Sequence, residues 1–166
     1  MSELEEGFLS HERQDERFMR HALAEAVRAQ EEGETPVGAV AVRAGTIVGR
    51  GHNRVEALQD PTAHAEILCL GAAATAAAGW RLSEITLYVT LEPCTMCAGA
   101  ILLARVGRLV YGVRDRRAGA CGSRLDVVQA NPLGHDLLMR DGCLEEECQE
   151  LLSTFFRSLR RKDEAD

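Results

Sequence analysis

No stretch of the chain holds the roughly 18 successive apolar residues a bilayer crossing requires, so no membrane-spanning role is expected. The opening residues, MSELEEGFLSHERQDERF, carry no apolar run of the kind a secretory signal needs. A reducing cytoplasm is therefore the expected compartment, and the six cysteines are expected as thiols or metal ligands rather than disulfides. Internal repeats, low-complexity tracts and Pro/Gly/Ser linkers are also missing, which leaves one domain over residues 1–166 with frayed ends at 1–15 and 162–166. Net positive charge is lacking too. At −7 the chain is not a general phosphate-backbone binder. Basic residues do cluster in RDRR (114–117) and RSLRRK (157–162). Each run reads either as ordinary solvated surface or as a local nucleic-acid contact.

What is present is a core and an ordered pattern. Hydrophobic residues make up 46% of the chain. Residues 16–31 repeat apolar positions at helical spacing. PVGAVAVRAGTIVGRGHN holds two β-rich runs around Ala44-Gly45, a hairpin signal. A helix is expected from Asp60-Pro61 to Gly79, and a densely apolar, hence central, strand over ITLYVTLEP. CTMCAGAILLARV reads as a helix, RLVYGV as a strand, GHDLLMRDG as a weak strand or loop, and LEEECQELLSTFFRSLRRK as a closing helix. Strands separated by helices imply right-handed crossovers and a partly parallel sheet with helices on both faces, an α/β fold. Ligands in such sheets bind beyond strand carboxyl ends, where Cys94 falls.

Cys94 and Cys97 form a CxxC, which alone is compatible with a redox pair, a metal site or buried thiols. No second CxxC exists to close a structural zinc site. A third ligand would have to be of another type, and His64, two residues before Glu66, is the candidate. Two cysteines and one histidine leave a tetrahedral position open, and an open position is where a metal lowers the pKa of a water. Glu66 would then move the protons. Spacing resists this reading at one point. Residues two apart on an ideal helix face roughly 200° away from each other, so helical periodicity does not aim His64 and Glu66 at one pocket.

HAE followed by PCTMC about 30 residues later matches the H-x-E…P-C-x-x-C signature of the zinc nucleobase deaminases. Together with TPVGAV, GHNR, DPTAHAE, GVRDRRAGACGS and LLSTFFRSLRR, it makes residues 16–161 resemble the bacterial tRNA-specific adenosine deaminases. The acidic start and residues 129–132 (QANP) depart from the family pattern. The resemblance implies a cytidine deaminase-like three-layer α-β-α sandwich around a five-stranded mixed sheet. It implies one Zn2+ per subunit on His64, Cys94 and Cys97, with Glu66 as proton shuttle. It further implies deamination of adenosine to inosine at the wobble position (34) of a tRNA anticodon, tRNA-Arg first. Asn53 would bond the splayed-out base, Asp115 the ribose, and Phe155, Phe156 and Arg157 would line the RNA groove. The implied partners are the anticodon stem-loop and a second copy of the chain, with DNA not expected as a natural substrate. The rival readings are a deaminase of free guanine or cytosine, and a non-catalytic RNA-binding zinc protein.

Overall fold

The computed structural model describes residues 3–131 and 133–163, with side chains described for 10–131 and 133–161. Strands β1 (Gly38–Arg43) and β2 (Thr46–His52) form the expected hairpin. Ala44 (φ 47°) and Gly45 (φ 76°) make its two-residue turn, both left-handed as the right-handed twist of such a hairpin demands. With β3 (Thr86–Leu91), β4 (Arg108–Val113) and β5 (Leu138–Arg140) they build one sheet in the order β2-β1-β3-β4-β5. β1 pairs antiparallel with β2 and β3, and β3–β4 and β4–β5 are parallel. The mixed five-stranded sheet is the one expected, and the ITLYVTLEP strand is central in it.

Alternate residues of these strands serve two cores. Val40, Val42, Tyr88 and Val110 pack with Phe18, Met19 and Ala22 of α1 (Glu3–Glu31) and Cys148 of α6 (Glu145–Asp163). Ala39, Ala41, Leu87, Val89 and Leu109 face the other way, onto Ala65, Cys69 and Ala73 of α3 (Ala65–Ala76) and Ala98 and Ile101 of α4 (Thr95–Leu103). Two helical turns, α2 (Val55–Leu58) and α5 (Val127–Ala130), sit in the connections.

Three elements differ from the sequence reading. Helix α1 begins at Glu3 rather than near residue 16, so residues 3–15 are helical instead of frayed. Within this stretch Asp15 is buried and takes hydrogen bonds from Tyr88 Oη (2.9 Å), Arg108 (2.7 and 2.8 Å) and Arg140 (2.6 Å), which tie α1 to the sheet. At the other end α6 runs to Asp163, and residues 164–166 lie outside the described residues, as do 1–2. Finally, Asp60-Pro61 opens no helix. Asp60 Oδ1 accepts from the Thr62 amide and hydroxyl (2.8 and 2.7 Å), a side-chain-closed turn, and α3 starts only at Ala65.

Candidate active site

His64 is the residue that caps α3. Its backbone is extended (φ −73°, ψ 153°), and helical geometry starts one residue later. Periodicity therefore does not govern its direction relative to Glu66, and the 200° conflict disappears. Cys94 does the same for α4 (φ −73°, ψ 177°). Cys97 is the third helical residue after it, the position that a capping side chain overhangs.

Both helix starts meet beyond the end of β3. His64 Nδ1 lies 3.6 Å from Cys94 Sγ and 3.5 Å from Cys97 Sγ. The three donor atoms all fall within 4.8 Å of one another. Zinc bonds of about 2.0–2.1 Å to nitrogen and 2.3 Å to sulfur, opened at a tetrahedral angle, separate N from S by about 3.6 Å. The donors already stand at the spacing a single zinc ion requires. Their electrostatics agree. Hydrogen bonds with Cys97 and His64 pull the Cys94 thiol down to about 3, and the contact with Cys94 raises His64. Cys97 is pushed up by its hydrogen bond to Cys94 and by burial. A cation among the three donors favours thiolate at both sulfurs.

Glu66 is 4% exposed and its pKa is pushed up to about 7, chiefly by burial. It lines, with His64 and Cys94, a cavity of about 460 Å³, within the roughly 300–1,000 Å³ of small-molecule sites. Asn53, Asp115, Phe155 and Phe156 line the same cavity. Phe155 is buried and Phe156 half-exposed, edge to face at 5.5 Å. Arg157 is not among the lining residues. It is exposed and donates to Thr154 Oγ1 (3.2 Å). Asp115 Oδ1 accepts from the Arg117 and Ala118 amides (2.8 and 3.3 Å), so this aspartate also closes its own turn.

Two carboxylates at this cavity went unnoticed in the sequence. Glu34 and Glu92 are each 2% exposed. Glu34 accepts from Asn53 Nδ2 (3.2 Å) and the Ala57 amide (2.8 Å). Because a carboxylate only accepts, this bond decides which way the Asn53 amide faces. Glu92 holds the loop after β4. The available signal was a glutamate inside a densely apolar run, but its partners lie 23 to 31 residues away.

The cytidine and deoxycytidylate deaminase zinc-binding region matches residues 12–113. The chain belongs to this deaminase family. Among the family's curated members it is 47% identical to the tRNA-specific adenosine deaminase of Bacillus subtilis, over 92% of this chain and 94% of that protein. It is 50% identical to the tRNA-specific adenosine deaminase of Haemophilus influenzae, over 89% and 86%. A solved structure from studies of A-to-I editing by tRNA:A34 deaminases at the wobble position of transfer RNA superposes with a TM-score of 0.79 at 44% identity, covering 82% of this chain and 99% of that one. A Bacillus subtilis guanine deaminase structure superposes at 0.60 with 34% identity, over 69% and 74%. The deaminase is thus a zinc-dependent hydrolase with the three-layer fold of its relatives. Among the described residues no helix is long and apolar enough to cross a membrane.

Proposed function

We propose that this deaminase converts adenosine to inosine at the wobble position of a tRNA anticodon, tRNA-Arg first, in the cytoplasm. The observation that carries the reading is the cluster of His64, Cys94 and Cys97 donors beside a cavity lined by His64, Cys94, buried Glu66, Phe155 and Phe156. Relatives at 47% and 50% identity bear the tRNA adenosine deaminase name.

His64, Cys94 and Cys97 would hold the zinc. Bound there, zinc supplies a water whose pKa falls from 15.7 towards about 7. Glu66 takes a proton from that water and delivers it to N1 of the adenine. After the water oxygen has added to C6, Glu66 would take the remaining proton from that hydroxyl and pass it to the exocyclic amine, so that the C6–N bond breaks, ammonia leaves and a C6 carbonyl is left. Asn53, its amide held by Glu34, hydrogen-bonds the base. Asp115 meets the ribose, where a contact to the 2′-hydroxyl selects RNA over DNA. The aromatic pair receives the splayed base, while exposed Arg157 meets phosphate outside the cavity. The working form is a homodimer. It is supported by an apolar groove of about 310 Å³ between α3 and α4, lined among others by Leu70, Trp80 and Leu103, the last two well exposed.

Likeness to a guanine deaminase favours free guanine as the second reading. Incubation with an anticodon stem-loop, with guanine and with cytosine separates the two. Inosine at the wobble position, read as A-to-G in sequencing, is the expected result. Turnover of a free base with none in the RNA would reject the tRNA reading.

A further inference from the structure

We propose that Glu92 is a positioning residue that ties the loop carrying Asp115 to the strand end carrying Cys94. The inference rests on the tRNA deaminase reading and assigns that site a determinant of substrate grip. Glu92 follows the last residue of β3 and precedes Cys94 by two positions. Its carboxylate accepts three backbone amides of the loop after β4: Asp115 at Oε2 (2.9 Å), and Cys121 and Ser123 at Oε1 (both 3.0 Å). The loop comes close enough that a Cβ at Gly119 would stand 2.5 Å from Glu92 Cδ and Oε2, so only glycine admits the contact. Main-chain bonds continue the seam. The Ala120 amide donates to Pro93 O (2.9 Å), and Cys94 bridges Gly119.

Three donors converging on a buried side chain demand an acceptor at both oxygens. An amide of the same shape offers one acceptor and turns an NH2 towards another N–H. Glu92 and Asp115 line one cavity with Cys94 and Ala118. Loosening the carboxylate therefore frees Asp115 and Ala118 without removing a zinc donor or Glu66. The consequence belongs to RNA grip rather than to the chemical step.

The test uses the zinc-loaded full chain. Wild type is first assayed on an anticodon stem-loop; failure to form inosine there overturns the functional reading, separately from this inference. In E92Q we expect zinc content unchanged, KM for the stem-loop raised about tenfold and kcat lowered less than about threefold. In a D115A background E92Q should add less than about twofold, because the first change acts through the loop the second already disables. An unchanged KM, or a full multiplicative loss in D115A, overturns the proposal. Amide hydrogen exchange reads the clip independently of substrate. The Asp115, Cys121 and Ser123 amides should exchange slowly in wild type and at least about tenfold faster in E92Q, with the α1 amides unchanged. Should E92Q not fold, fast exchange of those three amides in wild type is the result that overturns it.

Discussion

Glu66 is the residue on which the chemistry converges, and it lines the cavity beside His64 and Cys94. It is the second residue of α3, two after the cap His64, is buried, and needs no shift of the helix to face the cavity. Glu66→Ala should cut inosine formation about 10²–10⁴-fold, the usual share of a positioned acid–base group, while one zinc per chain remains. Single-turnover assays with elemental analysis check both halves. His64→Ala removes one of three donors at zinc-ligand spacing and should lose the metal in the same analysis. Zinc retained in full in that variant would contradict the ligand set. Neither Glu34 nor Glu92 carries chemistry of this kind; each spends its acceptors on the protein's own amides.

At the scale of elements, the site depends on how closely α3 lies on β2. Gly49 and Gly51 face the helix, and a Cβ at Gly49 would stand 2.7 Å from Cys69 O and 2.9 Å from Ala73 N. Backbone, not a flexible side chain, blocks the added atom. Gly49→Ala should therefore lift α3 and cost about 1–3 kcal/mol or more through overpacking. Calorimetry should show a lower Tm, and zinc affinity should fall with it, since His64 caps the displaced helix. An unchanged Tm would mean that the contact is softer than the geometry states.

Over the whole molecule, the far end of the sheet has its own tie. Asp15 joins α1 to β4 through Arg108 and to β5 through Arg140. Burial alone would push its carboxyl up. The hydrogen bonds from Arg108, Tyr88 and Arg140 outweigh burial and hold it below the ordinary aspartate value. A depressed carboxylate stabilises the fold above its unfolded pKa, near 3.9, and that stabilisation is lost as pH falls through the folded value. Asp15→Asn should cost about 1–3 kcal/mol at pH 7. The gap to wild type should close below about pH 4, read by urea unfolding at both pH values. A gap that stays constant would show that packing, not charge, holds α1. On the opposite side, Leu103 is 64% exposed on the apolar groove. Leu103→Arg should yield monomers by light scattering if that groove is the dimer seam, and a wild type that is itself monomeric would end the homodimer reading.

The order of helices and strands, the central place of ITLYVTLEP and the CxxC of Cys94 and Cys97 were legible in the sequence, while His64, 30 residues before Cys94, was joined to them through the H-x-E…P-C-x-x-C signature. Periodicity of two or 3.6 and a short ligand spacing are local properties, written in neighbouring residues. Tertiary structure decided what depends on residues far apart. Asp15 ties α1 to the sheet where composition suggested a frayed end, because Arg108 and Arg140 arrive from two parallel strands. Arg157 lies outside the cavity while Phe155 and Phe156 line it, because the turn of α6 sets which side chains face inward. Glu92 finds its three amides only after a crossover brings the loop beyond β4 back over β3. The aim of His64 and Glu66 belongs to this second class as well. Helical spacing alone put them on opposite sides, and an extended cap residue, fixed by the turn at Asp60, set both towards one cavity.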